Sequence, residues 1–177
     1  MNLDQKCFHR RLAATSLFLA MIATTSAASA EPESGTRVED YRITTLAGAQ
    51  ITPHSQRNRV LVVNFWATWC APCREEMPAI DAFYTKYRQR EVDVVAISVD
   101  DRGEMGSVRK VMTAYSFPAA LAVDSDLRAF GRVRQVPATF VIDRDGVVRR
   151  NGWREAGAID LLALEKAVRP LLRQGSE

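Results

Sequence analysis

The run Arg59 to Trp66 (RVLVVNFW) is almost unbroken in apolar, β-branched and aromatic residues, and a strand of that kind has to be covered on both faces. Val92 to Val99 (VDVVAISV) has the same character. Ala71 to Arg90 between them reads as a helix, so strand, helix and strand predict a right-handed βαβ unit with parallel pairing. Around this unit, Tyr41 to Leu46 and Gln50 to Thr52 flank Ala47-Gly48-Ala49 as a small hairpin, and Gly106 to Tyr115 is a further helix. Thr139 to Asp143 and Val147 to Trp153 are separated by Arg144-Asp145-Gly146; Asp-Gly is a hairpin signal, so these strands are expected to be antiparallel neighbours. Ala158 to Leu172 carries an apolar stripe and closes the chain as a helix that Pro170 bends or ends.

The N-terminus stands apart. Lys6, Arg10 and Arg11 form a basic region, Leu12 to Ala23 an apolar run, and Ala28-Ser29-Ala30 an A-x-A cleavage signal, which together read as a secretory signal peptide over residues 1–30. The apolar run is shorter than the roughly 20 residues of a membrane-spanning helix, so cleavage is favoured over an uncleaved anchor. Residues 31–40 are polar, with Pro32 and Gly35, and predict a flexible lead-in to one domain over 41–177. Removing residues 1–30 takes away three basic residues and one acidic residue, which lowers the net charge from +3 to +1. No basic excess is left to suggest a nucleic-acid footprint. The same cleavage removes Cys7 and leaves two cysteines, Cys70 and Cys73, in a C-x-x-C spacing.

That spacing carries the chemistry. Cys70 stands where the strand gives way to the helix, and there unpaired backbone N–H groups and the helix dipole favour an anion. A thiolate is the form that attacks disulfides. Cys73 comes round to the same face one turn later; Cβ atoms at that separation lie about 5 to 6 Å apart. A disulfide needs roughly 3.5 to 4.5 Å, so the pair can open and close with little backbone movement. Pro72 fits because an N–H in the first turn has no partner to lose. Cys70, at the helix tip, is therefore assigned as nucleophile and Cys73 as resolving thiol, and no cofactor is called for. A structural zinc site normally needs four ligands, whereas the cleaved chain offers two cysteines and His54. A purely structural disulfide closing so small a loop would constrain the unfolded chain little.

The segment Asn64-Phe65-Trp66-Ala67-Thr68-Trp69-Cys70-Ala71-Pro72-Cys73-Arg74-Glu75-Glu76-Met77-Pro78 resembles the active-site stretch of the thioredoxin superfamily, and within it the exported TlpA/ResA-like branch. Val136-Pro137-Ala138-Thr139-Phe140-Val141-Ile142-Asp143 is similar to that family's second signature, and the likeness runs from about Tyr41 to Leu172. The resemblance implies an α/β thioredoxin fold, a central mixed sheet flanked by helices, with an N-terminal β-hairpin and an inserted helix after the second strand of the βαβ unit. It also implies that Pro137 is cis and faces the cysteines, and that the backbone of Val136 pairs with an extended substrate segment. Trp69, beside Cys70, is expected to shape the substrate surface. Thioredoxins carry a buried aspartate where this chain has Asn64, which cannot exchange a proton. Relatives of the ResA type place an acid beyond the second strand of the unit; Asp100, Asp101 and Glu104 lie in that segment, and spacing from Val99 favours Asp101 for that role, with a solvated acidic turn as the equal alternative. Glu75 and Glu76 read as structural or partner-facing, since carboxylates near a helix N-terminus are favoured whatever the function.

Ala71-Pro72 between the cysteines lacks the thiolate-stabilising histidine of strong oxidants; potentials in this superfamily run from about −120 to about −270 mV, and the expectation is a reductant. An exported, monomeric reductase of protein disulfides follows, periplasmic or otherwise extracytoplasmic, supplied with electrons by a membrane thiol carrier. Cysteines of apocytochromes c or copper-site proteins are candidate substrates. A metal-binding chaperone using the two thiolates is the alternative from another class.

Overall fold

The computed structural model of the chain describes residues 32–155 and 157–172. The predicted signal peptide lies outside the described residues. A hairpin of β1 (Ile43–Thr44) and β2 (Gln50–Ile51) precedes the central strand β3 (Val60–Trp66), helix α1 (Ala71–Tyr87) and strand β4 (Val92–Ser98). Helix α2 (Met105–Met112), β5 (Ala119–Leu121), β6 (Ala138–Ile142), β7 (Val148–Arg150) and α3 (Leu161–Val168) complete the order. Five strands form one sheet in the order β5-β4-β3-β6-β7. β3 is parallel to β4 and β4 to β5, while β6 runs antiparallel to both β3 and β7.

All seven residues of β3 are buried, as its composition requires. The pleat sends Val60, Val62 and Trp66 into one core with Cys73, Met77, Ile80 and Phe83 of α1 and with Leu164 and Val168 of α3. Leu61, Val63 and Phe65 point into the other, among Val38, Tyr41, Ile43, Phe130 and Trp153. Phe65 there meets Phe130, Phe140 and Trp153 with ring centroids 5.8, 5.9 and 5.1 Å away, within the range of favourable aromatic pairs. Asn64 is the polar exception on β3, and it sits on the α1 side.

The structure differs from the sequence reading at several places, each for a local reason. β5 had no counterpart in the sequence reading; it is three residues long and Ala-rich, and it pairs through Ala96, Ile97 and Ser98 of β4. Residues 32–40 are tied down rather than loose. Gly35 and Val38 donate to the carbonyls of Val148 and Gly146 at 2.8 Å, Val148 donates to Thr36 at 2.9 Å, and the Asn151 side chain donates to the Pro32 carbonyl at 2.6 Å. β7 is a sheet edge with free backbone groups, and this polar segment satisfies them. The chain then reaches the opposite edge, where Leu46 donates to the Ala119 carbonyl at 2.7 Å. Residues 35–46 thus cover both edges of the sheet.

α1 ends at Tyr87, and Glu91 at φ 58° turns the chain into β4. β7 stops at Arg150 because Asn151 accepts the Trp153 N–H at 2.9 Å and opens a turn. Gly152 in that turn lies so close to β6 that a Cβ would sit 2.8 Å from the Thr139 nitrogen. α3 begins at Leu161, since Asp160 caps it by accepting the Ala163 N–H at 2.7 Å. It ends at Val168, and Pro170 follows in a 3-10 turn. Among the described residues no helix is long and apolar enough to cross a membrane.

Candidate active site

The turn between β3 and α1 delivers the cysteines. The Cys70 N–H closes it on the Ala67 carbonyl at 3.1 Å, and Cys70 is the N-cap of α1, its Sγ accepting the Cys73 N–H at 3.3 Å. Pro72 occupies the first turn of α1. Cys70 and Cys73 form a disulfide with Cα atoms 5.3 Å apart. Cys73 is wholly enclosed, whereas Cys70 keeps 5% exposure beside Trp69, which is 70% exposed. An incoming sulfur therefore meets Cys70 first. The exposed indole costs burial that a core tryptophan would gain, so its place beside the only accessible sulfur of the pair matters.

The Val136–Pro137 peptide bond is cis, as the resemblance implied. Pro137 is buried, and half-buried Val136 packs against the core that holds both cysteines.

Asp100 and Asp101 part company. Asp100 is buried; its carboxylate accepts the Thr68 N–H at 2.8 Å, the Thr68 hydroxyl at 2.7 Å and the Ser98 hydroxyl. It ties the end of β4 to the turn two residues before Cys70. Asp101 is exposed and starts a 3-10 turn without a capping hydrogen bond from its side chain. The structure does not bring Asp101 beneath the pair.

The buried acid on the helix that carries the pair is Glu76. It is 3% exposed, one helical turn beyond Cys73 on the same buried face of α1. Its Oε1 accepts from Asn64 Nδ2 at 2.6 Å and its Oε2 from the Ile159 N–H at 2.7 Å. Burial pushes its carboxyl up from the ordinary 4.5 to about 7, against the two hydrogen bonds and the more distant Arg150 cation, which favour the charged form. Sequence reasoning read Glu76, with Glu75, as structural or partner-facing and gave it no part in the chemistry. The signal that could have found it is the spacing Cys73, Glu76, Met77, Ile80, Phe83, Tyr87, a helical stripe buried throughout. Asn64 lies between Glu76 and Thr139 Oγ1, to which its Nδ2 also donates at 3.1 Å.

The arrangement can make and break a sulfur–sulfur bond at the surface while an acid of near-neutral pKa lies one turn below the enclosed sulfur. Among the described residues no three His, Cys, Asp or Glu side chains gather as a metal site. His54 lies in an exposed loop after β2.

Residues 34–151 match the family described as the AhpC/TSA family. Thiol-disulfide oxidoreductase ResA of Bacillus thuringiensis (strain Al Hakam) is 30% identical over 116 residues, covering 64% of this chain and 66% of that protein. ResA of Bacillus cereus (strain ZK / E33L) is 31% identical with the same coverage. The alignments thus span 66% of these relatives' length. A thiol:disulfide interchange protein of the thioredoxin family from Chlorobium tepidum TLS superposes with a TM-score of 0.63 at 25% identity, over 80% of this chain and 99% of that one. The fold is a thioredoxin fold, with the hairpin of β1 and β2 before it and α2 between β4 and β5.

Proposed function

This chain belongs to the AhpC/TSA family, and from that premise we propose that it is a thiol-disulfide oxidoreductase that works outside the cytoplasm and reduces disulfides in partner proteins. The observation that carries the proposal is the Cys70–Cys73 disulfide at the N-terminus of α1, with residual exposure at Cys70 and none at Cys73. The similarity to ResA supports the same reading.

In the reduced protein the Cys70 thiolate, favoured at the helix N-terminus, attacks a substrate disulfide and expels one substrate thiolate. Cys70 is then held in a mixed disulfide, with Trp69 and the Val136–Pro137 edge against the substrate chain. Cys73 loses its proton to Glu76 and attacks Cys70 Sγ, which releases the second substrate thiolate and leaves the oxidised pair. Glu76, not Asp101, is the proton acceptor in this reading, because only Glu76 is buried on the Cys73 face. A dithiol carrier in the membrane re-reduces the pair: one of its thiolates attacks Cys70 Sγ, Cys73 leaves as thiolate and takes the proton back from Glu76, and the carrier's second thiolate then attacks its own sulfur in the mixed disulfide, which frees the Cys70 thiolate and leaves the carrier oxidised. Residues 1–30 act as the export signal, and apocytochrome c or copper-site cysteines are the substrate class.

Insulin-disulfide reduction with dithiothreitol tests the core of this. Wild-type protein is expected to accelerate precipitation of the B chain, and Cys70→Ser and Cys73→Ser to lose that acceleration; full activity in either variant sinks the proposal.

A further inference from the structure

Asn64 stands fully buried on β3, and its side chain is used unevenly. Nδ2 donates both its hydrogens, to Glu76 Oε1 at 2.6 Å and to Thr139 Oγ1 at 3.1 Å, whereas Oδ1 has no partner among the described residues. Buried polar atoms rarely go unpartnered, so an arrangement that strands Oδ1 while doubling the load on Nδ2 asks for a reason. The reason lies in what Glu76 needs in each of its two forms.

Ionised Glu76 is an acceptor only, and Nδ2 suits it. Protonated Glu76 carries a hydroxyl that must donate, and an N–H facing it would set donor against donor. The other groups around the carboxyl cannot help. The Ile159 N–H, from the segment before α3, only donates. Arg150 of β7 is a cation that acts at longer range, its guanidinium occupied at 2.6 Å by the carbonyls of Thr139 and Glu155. While the pair is oxidised, Cys73, one turn back on α1, is closed in the disulfide and offers no thiolate to accept the proton. In that state Asn64 is the one of these groups that can present either polarity, because a half-turn of its amide exchanges Oδ1 and Nδ2 with hardly any change of shape. Oδ1 would then accept from Glu76, and the Thr139 hydroxyl, which both donates and accepts, would turn its proton toward Oδ1. Ile159 would stay on Oε2 throughout.

We propose that Asn64 is a positioning residue whose amide turns over each time Glu76 gains or loses a proton, with the Thr139 hydroxyl reversing in step. The pair lets a buried acid serve Cys73 in both directions without leaving like polar groups face to face. It also accounts for an asparagine at the position where thioredoxins bury an aspartate: a second carboxylate within hydrogen-bonding distance of Glu76 would couple the two titrations and hold one proton in place. With Glu76 titrating near neutrality, both settings of the amide are populated under ordinary conditions. The inference rests on Glu76 being the acid that exchanges a proton with Cys73.

The test is a titration of the whole exported chain, labelled with 13C and 15N, from pH 4 to 9. The side-chain carboxyl carbon of Glu76 and the side-chain amide nitrogen of Asn64 are expected to shift with one shared midpoint. An Asn64 amide that stays still while Glu76 titrates overturns the proposal. Thr139→Val, which keeps the amide but removes the reversible hydroxyl that accepts from Nδ2, is expected to shrink the Asn64 amide shift across the Glu76 midpoint. An amide shift of unchanged size in Thr139→Val also overturns it. Resolution of a Cys70 mixed disulfide by Cys73, followed by stopped flow in Glu76→Gln, separates the two layers. If that rate matches wild type while the Asn64 and Glu76 signals still titrate together, the amide coupling stands and the role of Glu76 as proton acceptor falls.

Discussion

Replacing Glu76 by glutamine removes a proton site whose cost can be worked from its surroundings. In the folded chain burial raises the carboxyl to about 7, against 4.5 when unhindered. Between those values the folded protein binds one more proton than the unfolded one, so stability falls as pH rises through that window and levels off above about 7. At about 1.4 kcal/mol per pH unit, the whole loss across that window is about 3.5 kcal/mol. Urea unfolding of the oxidised protein at pH 5 and pH 8 reads it, provided the same pair of pH values is used for Glu76→Gln. Wild-type protein is expected to lose about 2.5 kcal/mol more than the variant between them, since part of the window lies below pH 5. Subtracting the variant removes the contributions of every other titrating group, apart from those coupled to Glu76. Glutamine can donate to Asn64 Oδ1 once the amide turns over and can still accept the Ile159 N–H, so the variant mimics the protonated acid and is expected to fold. Equal losses in the two proteins would refute the claim that Glu76 is held near neutrality by burial.

Other expectations follow from the same contacts. Gly152→Ala places a Cβ 2.8 Å from the β6 backbone at Thr139, where nothing flexible can give, and is expected to cost about 1 to 3 kcal/mol in chemical denaturation. Asp100→Ala strips two hydrogen bonds from the turn before Cys70 and one from Ser98 at the end of β4; insulin reduction is expected to fall several-fold, with faster proteolysis around Thr68 as the check on mechanism. Asp160→Ala removes the cap of α3 and is expected to cost about 1 kcal/mol in chemical denaturation.

The elements that build the scaffold were legible because each carries its own signal. β3 and β4 are continuous apolar runs, and the C-x-x-C pair announces the helix start that holds it. What stayed hidden depends on pairing across distance. β5 is three small residues whose strand character comes from lying along β4, and residues 32–40 read as a loose lead-in because their anchoring is backbone hydrogen bonding to an edge, which side-chain chemistry does not advertise. At the site, Glu76 was misjudged because a carboxylate early in a helix has an adequate reason to be there in the dipole alone, and only tertiary packing shows which face turns inward. Asp100 and Asp101 differ by one position, yet the donors of Thr68 and Ser98 draw the first inside and leave the second in solvent; the meeting with Thr68 spans 32 residues and leaves no local mark.

The central claim is that Cys70 attacks and Cys73 resolves. It is tested most directly by incubating reduced Cys73→Ala and Cys70→Ala chains with an oxidised protein substrate and identifying the adducts by mass spectrometry. The account predicts a long-lived mixed disulfide on Cys70 in the first variant and little or none on enclosed Cys73 in the second. Adducts forming on Cys73 as fast as on Cys70, or on neither, would contradict it.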